Sequence, residues 1–533
     1  MKNIIFQLLL VCLPALLAGQ NYRWEVIHGV PTRNELALHV MEDYDKGLYV
    51  SGRSWIGYEG DAWSIKTDVN GNLLYDKKLK HEDYSLQTHY AVFDSDGNKY
   101  LCGMVQTKTA QWPYVSMLNV CGDLVWCKML DEDGFSHGSA SSLLINSNNE
   151  LIVAVWYEGN PDFKIHLVAF DLSGNQLWKK PYASKHKYPL MDFPHIENIL
   201  YFKGSYYMAG YCYYPFPNNP NHMWLRPLFI GIDSSFKEKF VIPFMVKDSV
   251  IGMAGSLFPV NDSIIMAVGA RYTLPALYEI ASSMMFIKTD GKELKYVDIP
   301  NDSIGLDVIT SAAGEIEIIN DSLLLMISSF GPDKTGNPIG EIITDTSGNV
   351  YKFHTESSFS SIAIALHKTY DDNFVLAGNK HQNNSLWYDI ILRKINADLE
   401  SVAFDTTQRV YDSLCPHTIQ SSTLDLTACL TPVNVNELPP PDVYYESLRW
   451  IPVKAYPNPV THGKLTLEFA NTGHHQNMEL RCFDNLGRMV HSQKVYKDQQ
   501  DTELQVSAWA PGVYLAIVFS NGEARGKAKF IIQ

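Results

Sequence analysis

The sequence predicts an all-β protein: a seven-bladed β-propeller followed by a small β-sandwich. Three observations predict it. A strand-and-turn unit of just over fifty residues recurs seven times between about residues 34 and 405. Each unit holds about four short strands, which cannot bury both faces of their sheet alone, so the copies stack radially. After a proline-rich break, the last stretch alternates apolar and polar residues with a period of two.

The chain opens with a signal-peptide pattern over residues 1–19. Lys2 supplies the charge, Ile4 to Leu17 the apolar segment, and Ala18-Gly19 the small residues that follow. The apolar run is short of the roughly 20 residues of a helical span, and no other stretch is long and apolar enough to cross a bilayer. Cys12 lies inside that run, after Val11, which is a poor place for lipid attachment.

A length of 533 residues implies more than one domain. Aromatics at 12% with charged residues at only 19% fit a folded, β-rich exported protein and not a disordered one. The net charge of −15 excludes nucleic acid, whose phosphates need a basic face. It equally opposes adsorption to anionic lipid.

The body, residues 20–429, carries the repeat. One element is an Asp- or Asn-led turn after an apolar strand. With Asp68, Asn119, Asp171, Asp233, Thr289, Asp345 and Asn396 as markers, the steps are 51, 52, 62, 56, 56 and 51. Upstream of each marker lies a strand read as ending in a small residue: Gly52, Gly103, Ala154, Gly210, Gly269, Met326 and Gly378. Residues 22–27 precede the first copy and are expected to pair into the last blade, closing the ring and removing its edge strands. A six- or eight-bladed ring with one copy misread is the alternative. A β-helix has too short a period.

Two local resemblances are weaker. Asp171 to Trp178 resembles a pyrroloquinoline-quinone propeller repeat. Trp126 and Trp178 keep its tryptophan, but Tyr75 and Lys295 replace it, so no cofactor is expected. Asp94-Ser95-Asp96-Gly97-Asn98 resembles the start of a calcium loop, but Val105 stands where the closing Glu belongs. A hairpin turn explains those residues instead.

Removal of Cys12 leaves seven cysteines. Cys415 and Cys429 flank the same short segment and are the expected disulfide in an exported chain. Cys121 and Cys127, around a Gly-Asp turn, are the second candidate pair. No Cys-x-x-Cys or His-rich spacing suggests a metal, and His474-His475 reads as a solvated loop.

No catalytic constellation emerges: there is no Gly-x-Ser-x-Gly elbow, no His-Glu-x-x-His and no phosphate-cradling loop. Catalytic residues are therefore assigned to none. The connections after the small-ended strands are rich in aromatics: Trp55, Tyr58, Trp112, Tyr114, Trp156, Tyr157, Tyr272, Tyr278, Trp387, Tyr388 and an insertion over 211–224. The expected ligand-binding face centres on Tyr213, Tyr214, Phe216 and Trp224, with Trp112 and Trp156. Its expected partner is a glycan or a protein, and the expected role is binding or adhesion by a monomer. The alternative is an extracellular polysaccharide-active glycosidase or lyase, which needs only two well-placed carboxylates.

Residues 430–452 are polar and proline-rich, hence an extended linker. Residues 453–533 form the sandwich candidate, in which Leu465, Leu467 and Phe469 alternate with Thr466 and Glu468. It reads as an immunoglobulin-like fold. Tyr456-Pro457-Asn458-Pro459, the turn around Gly487, Pro511-Gly512 leading to Tyr514, and Lys527 and Lys529 near the end resemble the type A sorting domain of proteins exported by the type IX secretion system of Bacteroidetes. The resemblance implies Sec export to the periplasm, recognition by the type IX machinery at the outer membrane, and a final place on the cell surface or outside the cell.

Overall fold

The computed structural model describes residues 24–132, 134–159, 162–184, 187–216, 219–245, 251–272, 280–299, 311–320, 322–330, 339–356, 365–381, 387–428, 430, 432–433, 451, 453–469, 478–485, 487–496, 499–520 and 523–533. The signal peptide, most of the linker, Cys429, Tyr278, His474-His475 and the turn at Asn521-Gly522 lie outside the described residues. The chain divides into two compact units, residues 1–439 and 440–533.

In the first unit, seven antiparallel sheets follow one another. Blade 1 runs from Asn34–Glu42 to Leu73–Lys80, blade 2 from Ser85–Phe93 to Leu124–Leu130, and blade 3 from His137–Ile145 to Gln176–Tyr182. Blade 4 runs from Asp192–Phe202 to Glu238–Pro243, blade 5 from Ile251–Asn261 to Glu293–Asp298, and blade 6 from Ser311–Ile318 to Val350–Glu356. Blade 7 comprises Ala365–Lys368, Phe374–His381 and Tyr388–Ile395, and its fourth strand is Glu25–His28 from the start of the chain. That strand pairs Glu25 with Arg393 and His28 with Ile390, so the ring closes as the sequence predicts.

Closure is also visible in the packing. Each of the seven blade interfaces has its own buried apolar cluster. At the seam, Trp24, Ala37, Val50 and Trp63 pack with Ala365, Val375 and Leu392. The middle strands are covered on both faces by neighbouring blades and therefore read as unbroken apolar runs. Five residues in succession are buried in both Leu48–Ile56 and Glu150–Glu158. The outer strand Leu73–Lys80 keeps one face in water and alternates over its second half.

The repeated Asp and Asn residues cap their own hairpins. Asp68 Oδ1 accepts the backbone N–H groups of Asn70 and Asn72, both at 2.8 Å. Asp94 is engaged by the N–H groups of Asp96 and Asn98, the Asn98 amide and the Tyr100 hydroxyl. This is the turn role inferred from sequence.

Beyond blade 7 the chain returns across the closure seam as a strap. Asp405 and Asn70 exchange two hydrogen bonds. Ser422–Asp425 then pairs in parallel with Lys77–Lys80, and Pro432–Val433 with Met129–Leu130, adding a fifth strand to blades 1 and 2. A disulfide joins Cys415 to Cys121, with Cα atoms 5.1 Å apart. This corrects the expected Cys415–Cys429 pair. The strap carries Cys415 onto the turn of blade 2, so the partner is distant in sequence (294 residues) but adjacent in space. Cys127 is disulfide-bonded as well, which also removes Cys121–Cys127 as a pair.

Beneath the strap sits a buried charge cluster. The Lys66 ammonium, with no exposed side-chain surface, contacts Asp43 at 2.5 Å and Asp45 at 2.7 Å, with Asp412 of the strap at 4.0 Å. Lys99 of blade 2 reaches Asp43 at 3.5 Å. The three carboxylates form a cation-sized cage, and Lys66 supplies the cation.

The second unit is a sandwich of a three-stranded and a four-stranded sheet, with an apolar core that includes Leu465, Leu467, Leu480, Val518 and Phe530. The entry motif and the terminal strand are tied together. Asn458 donates to the Lys529 carbonyl at 3.0 Å and accepts from the Ile531 N–H at 3.0 Å. Tyr514 donates to the Ala510 carbonyl at 2.7 Å and stacks on Phe530. Gly487 has φ of 76°, as its turn requires. Lys527 and Lys529 lie on the solvent face, alternating with buried Ala528 and Phe530.

Candidate functional site in the axial lumen

The first strand of each blade packs against the first strands of both neighbours, so these seven strands encircle the axis. In six blades the first strand is bulged near its middle, at Leu38, His89, Ser141, Glu197, 255–256 and 314–315. A bulge breaks the alternation of a strand and re-aims a side chain. Here it happens at one level of the ring.

The recurring small residue of the sequence explains how. Gly52, Gly103, Gly210 and Gly269 do not end their strands but lie within them, each paired with the residue just before a bulge. A Cβ at these glycines would overlap the carbonyl oxygens of Leu36, Gln87, His195 and Met253 respectively. The glycine lets the bulged backbone sink against its neighbour.

The bulge level carries a polar cluster drawn from across the ring. The rings of His39 in blade 1 and Tyr90 in blade 2 lie 4.0 Å apart. Tyr90 feels the charges of Glu315 and Glu317 in blade 6 and interacts with Asn198 in blade 4. His367 of blade 7 lies 3.9 Å from Glu317, and Ser139 of blade 3 lies 3.1 Å from His89. Glu315 accepts from the Leu366 N–H at 2.5 Å, and Glu317 from the Lys368 N–H at 3.2 Å. Glu197 is solvent-exposed by surface area yet enclosed enough to feel strong desolvation, as a side chain projecting into a walled lumen would be.

This enclosure shifts protonation. Burial pushes Glu197 up to about 7. Burial, opposed by the Leu366 N–H and reinforced by the charge of Glu317, pushes Glu315 up to about 8. Burial also raises Glu317. At the start of the first strand of blade 1, burial raises Glu35 to about 7 against the hydrogen bond from Ser54. The histidines move the other way. Burial lowers His39 to about 3, and His89, His195 and His367 to about 4, so their rings are neutral at pH 7. Burial raises Tyr90, keeping its hydroxyl protonated. The Glu197 and Glu315 carboxyls can exchange protons near pH 7, while the neutral imidazoles serve as hydrogen-bonding partners.

In the first strand of blade 4, His195 lies beside two aromatic rings, Trp156 at 4.0 Å and Tyr211 at 4.8 Å. Of the residues expected from sequence to bind, Trp156 packs beside His195 against the apolar cluster between blades 3 and 4. Trp112 packs near Tyr84 at 5.8 Å instead. Tyr214 and Trp224 are cross-strand partners in the blade 4 hairpin, where Tyr213 is 40% exposed and Phe216 closes the ladder opposite Asn219. These aromatics lie in strands, not loops, and Tyr114 and Tyr157 are core. The lumen residues escaped sequence reasoning. The available signal was a polar residue interrupting each first strand, as in Pro194-His195-Ile196-Glu197-Asn198.

Residues 454–533 match the family model described as a secretion system C-terminal sorting domain. The protein is therefore exported to the cell surface or the extracellular space, handled by the type IX machinery. No curated protein matches the chain. Among solved structures, the polysaccharide lyase Uly1 is similar at 10% identity and a TM-score of 0.45, covering 68% of this chain and 90% of that one. An ulvan lyase of polysaccharide lyase family PL25 gives 9% identity and a TM-score of 0.42, covering 70% and 96%. The endo-arabinase of Bacteroides thetaiotaomicron VPI-5482 gives 12% and 0.31, covering 48% and 93%. At such identities and scores no substrate or mechanism transfers.

Proposed function

We propose that the protein is an exported glycan-cleaving enzyme whose reaction centre is the axial lumen. The convergence of Tyr90, Glu315, Glu317, His39 and Asn198 from four blades carries this reading. Two supports accompany it: the carboxyl groups of Glu197 in blade 4 and Glu315 in blade 6 are poised at about 7 and about 8, and the aromatic rings of Trp156 and Tyr211 beside His195 suit a sugar face.

In the proposed reaction Glu315, protonated at neutral pH, gives its proton to the leaving glycosidic oxygen. Water attacks the anomeric carbon and yields a proton to the Glu197 carboxylate. One C–O bond breaks, one forms, and the proton count is kept. Activity then needs Glu197 ionised and Glu315 protonated, so kcat/KM peaks between about pH 7 and 8. Glu315→Gln and Glu197→Gln are each expected to lower kcat by roughly 10² to 10⁴, read as reducing ends released from soluble polysaccharides. Either variant within threefold of the parent removes the proposal.

A second reading, binding or adhesion through the outer face, rests on the extended blade 4 hairpin with exposed Tyr213 and Met223. Binding that is lost in Tyr213→Ala and kept in Glu315→Gln, with no product formed, favours it.

A further inference from the structure

We propose that the groove between blades 1 and 2 is a separate carbohydrate-binding subsite that leads a sugar chain toward the lumen. It rests on the glycan reading above for its ligand class, and on its own geometry for its place.

The groove measures about 820 Å³, within the range of small-molecule pockets. It opens on the face where the second-to-third-strand hairpins emerge, because it is lined by the hairpin residue Tyr58 and by Thr107 and Lys108 of the next blade. Its inner end touches the beginnings of two first strands. Ser85 lines it and begins the first strand of blade 2, and Arg33 lines it and precedes the first strand of blade 1. A hydrogen-bond chain continues inward: Arg33 Nε donates to Ser54 Oγ at 2.9 Å, and Ser54 Oγ donates to Glu35 at 2.8 Å.

Its floor is aromatic and fixed. Tyr84 is stacked on His81 at 4.3 Å and backed by Trp112 at 5.8 Å. Tyr58 stands 78% exposed as a second ring, with the Lys108 ammonium 5.7 Å from its centre. A rigid ring beside a free one suits the apolar face of a pyranose, since aromatic rings give contact area at little entropic cost. The charged groups nearly balance: Arg33, Lys80 and Lys108 face Glu59, Asp61, Glu82 and Asp83. Such a wall offers donors and acceptors to hydroxyl groups without a net field for an anion. The ligand class is therefore a neutral sugar chain.

The test is affinity gel electrophoresis of Glu315→Gln protein, which still binds and turns over far more slowly, in gels containing xylan, mannan, mixed-linkage β-glucan or polygalacturonate. At least one neutral polysaccharide is expected to retard it. Adding Tyr84→Ala should weaken retardation about tenfold, equivalent to about 1.4 kcal/mol. Adding Tyr58→Ala, at an exposed position that the fold does not need, should weaken it severalfold. Unchanged retardation in both double variants, no retardation by any neutral polymer, or retardation by polygalacturonate alone overturns the proposal. If wild-type protein binds through these residues but releases no reducing ends, the enzymatic reading fails while the groove stands.

Discussion

Replacing Lys66 by Met separates the buried charge cluster from the rest of the fold. The side chain has no exposed surface, and its ammonium serves Asp43 and Asp45. Met nearly conserves its volume, so the loss is electrostatic. Removing one partner of a buried pair costs about 3–5 kcal/mol, because the remaining charge stays desolvated. A ring of roughly 400 residues unfolds with an entropy of about 0.8 kcal/mol/K, at roughly 2 cal/mol/K per residue. The midpoint should therefore fall by about 4–6 °C, read by scanning calorimetry at pH 7. The difference depends on pH. Burial alone would raise Asp45, but the charge and hydrogen bond of Lys66 outweigh it and hold the carboxyl below its usual range. A depressed carboxyl stabilises the fold above its unfolded value of about 3.9, and that gain disappears as pH falls through the folded value. In Lys66→Met the gain is absent at every pH, so the two midpoints should converge as pH drops from about 5 toward 3. A variant within 1 °C of wild type at pH 7 would refute the reasoning.

Gly210→Ala places a methyl group against the His195 carbonyl. It should cost about 1–3 kcal/mol and, by displacing the bulge that aims Glu197, lower kcat more than it raises KM. Cys121→Ser opens the link between the strap and blade 2, across 294 residues. The loss should be on the order of 2–5 kcal/mol, seen as a lower midpoint that matches wild type under reducing conditions. Deletion of residues 453–533 should prevent surface display, checked by protease accessibility on intact cells. Glu315→Gln should flatten the pH dependence of stability. A carboxyl raised to about 8 binds its proton more tightly folded than unfolded, so wild-type stability falls between about pH 4.3 and 8 and the variant lacks that slope.

The architecture was legible because its determinants are periodic. The Asp-led turns repeat since each must cap a hairpin, and the middle strands repeat since each is buried on both faces. Residues 22–27 were expected in the last blade because closure removes exposed edges, and Glu25–His28 pairs there. The disulfide was not legible, because Cys415 meets Cys121 only after the strap recrosses the seam. The lumen was missed for a more specific reason. Bulges at His89, Glu197 and Glu315 break the two-residue period that identifies a strand, so these first strands carry the weakest pattern in each unit. The glycine that permits the bulge was visible in four copies, but as punctuation rather than as room for a carbonyl. Trp156 was selected for its aromaticity and packs beside His195 between blades 3 and 4, whereas Tyr213 pairs with Asp192 and Trp224 with Tyr214 in the blade 4 sheet.

The most direct measurement is a crystal structure of Glu315→Gln protein soaked with an oligosaccharide cut from a polysaccharide that it binds. Sugar density in the lumen, within hydrogen-bonding distance of Tyr90 and Glu197, is the expected result. An empty lumen with sugar only against Tyr213 and Trp224 would contradict the assignment of the reaction centre.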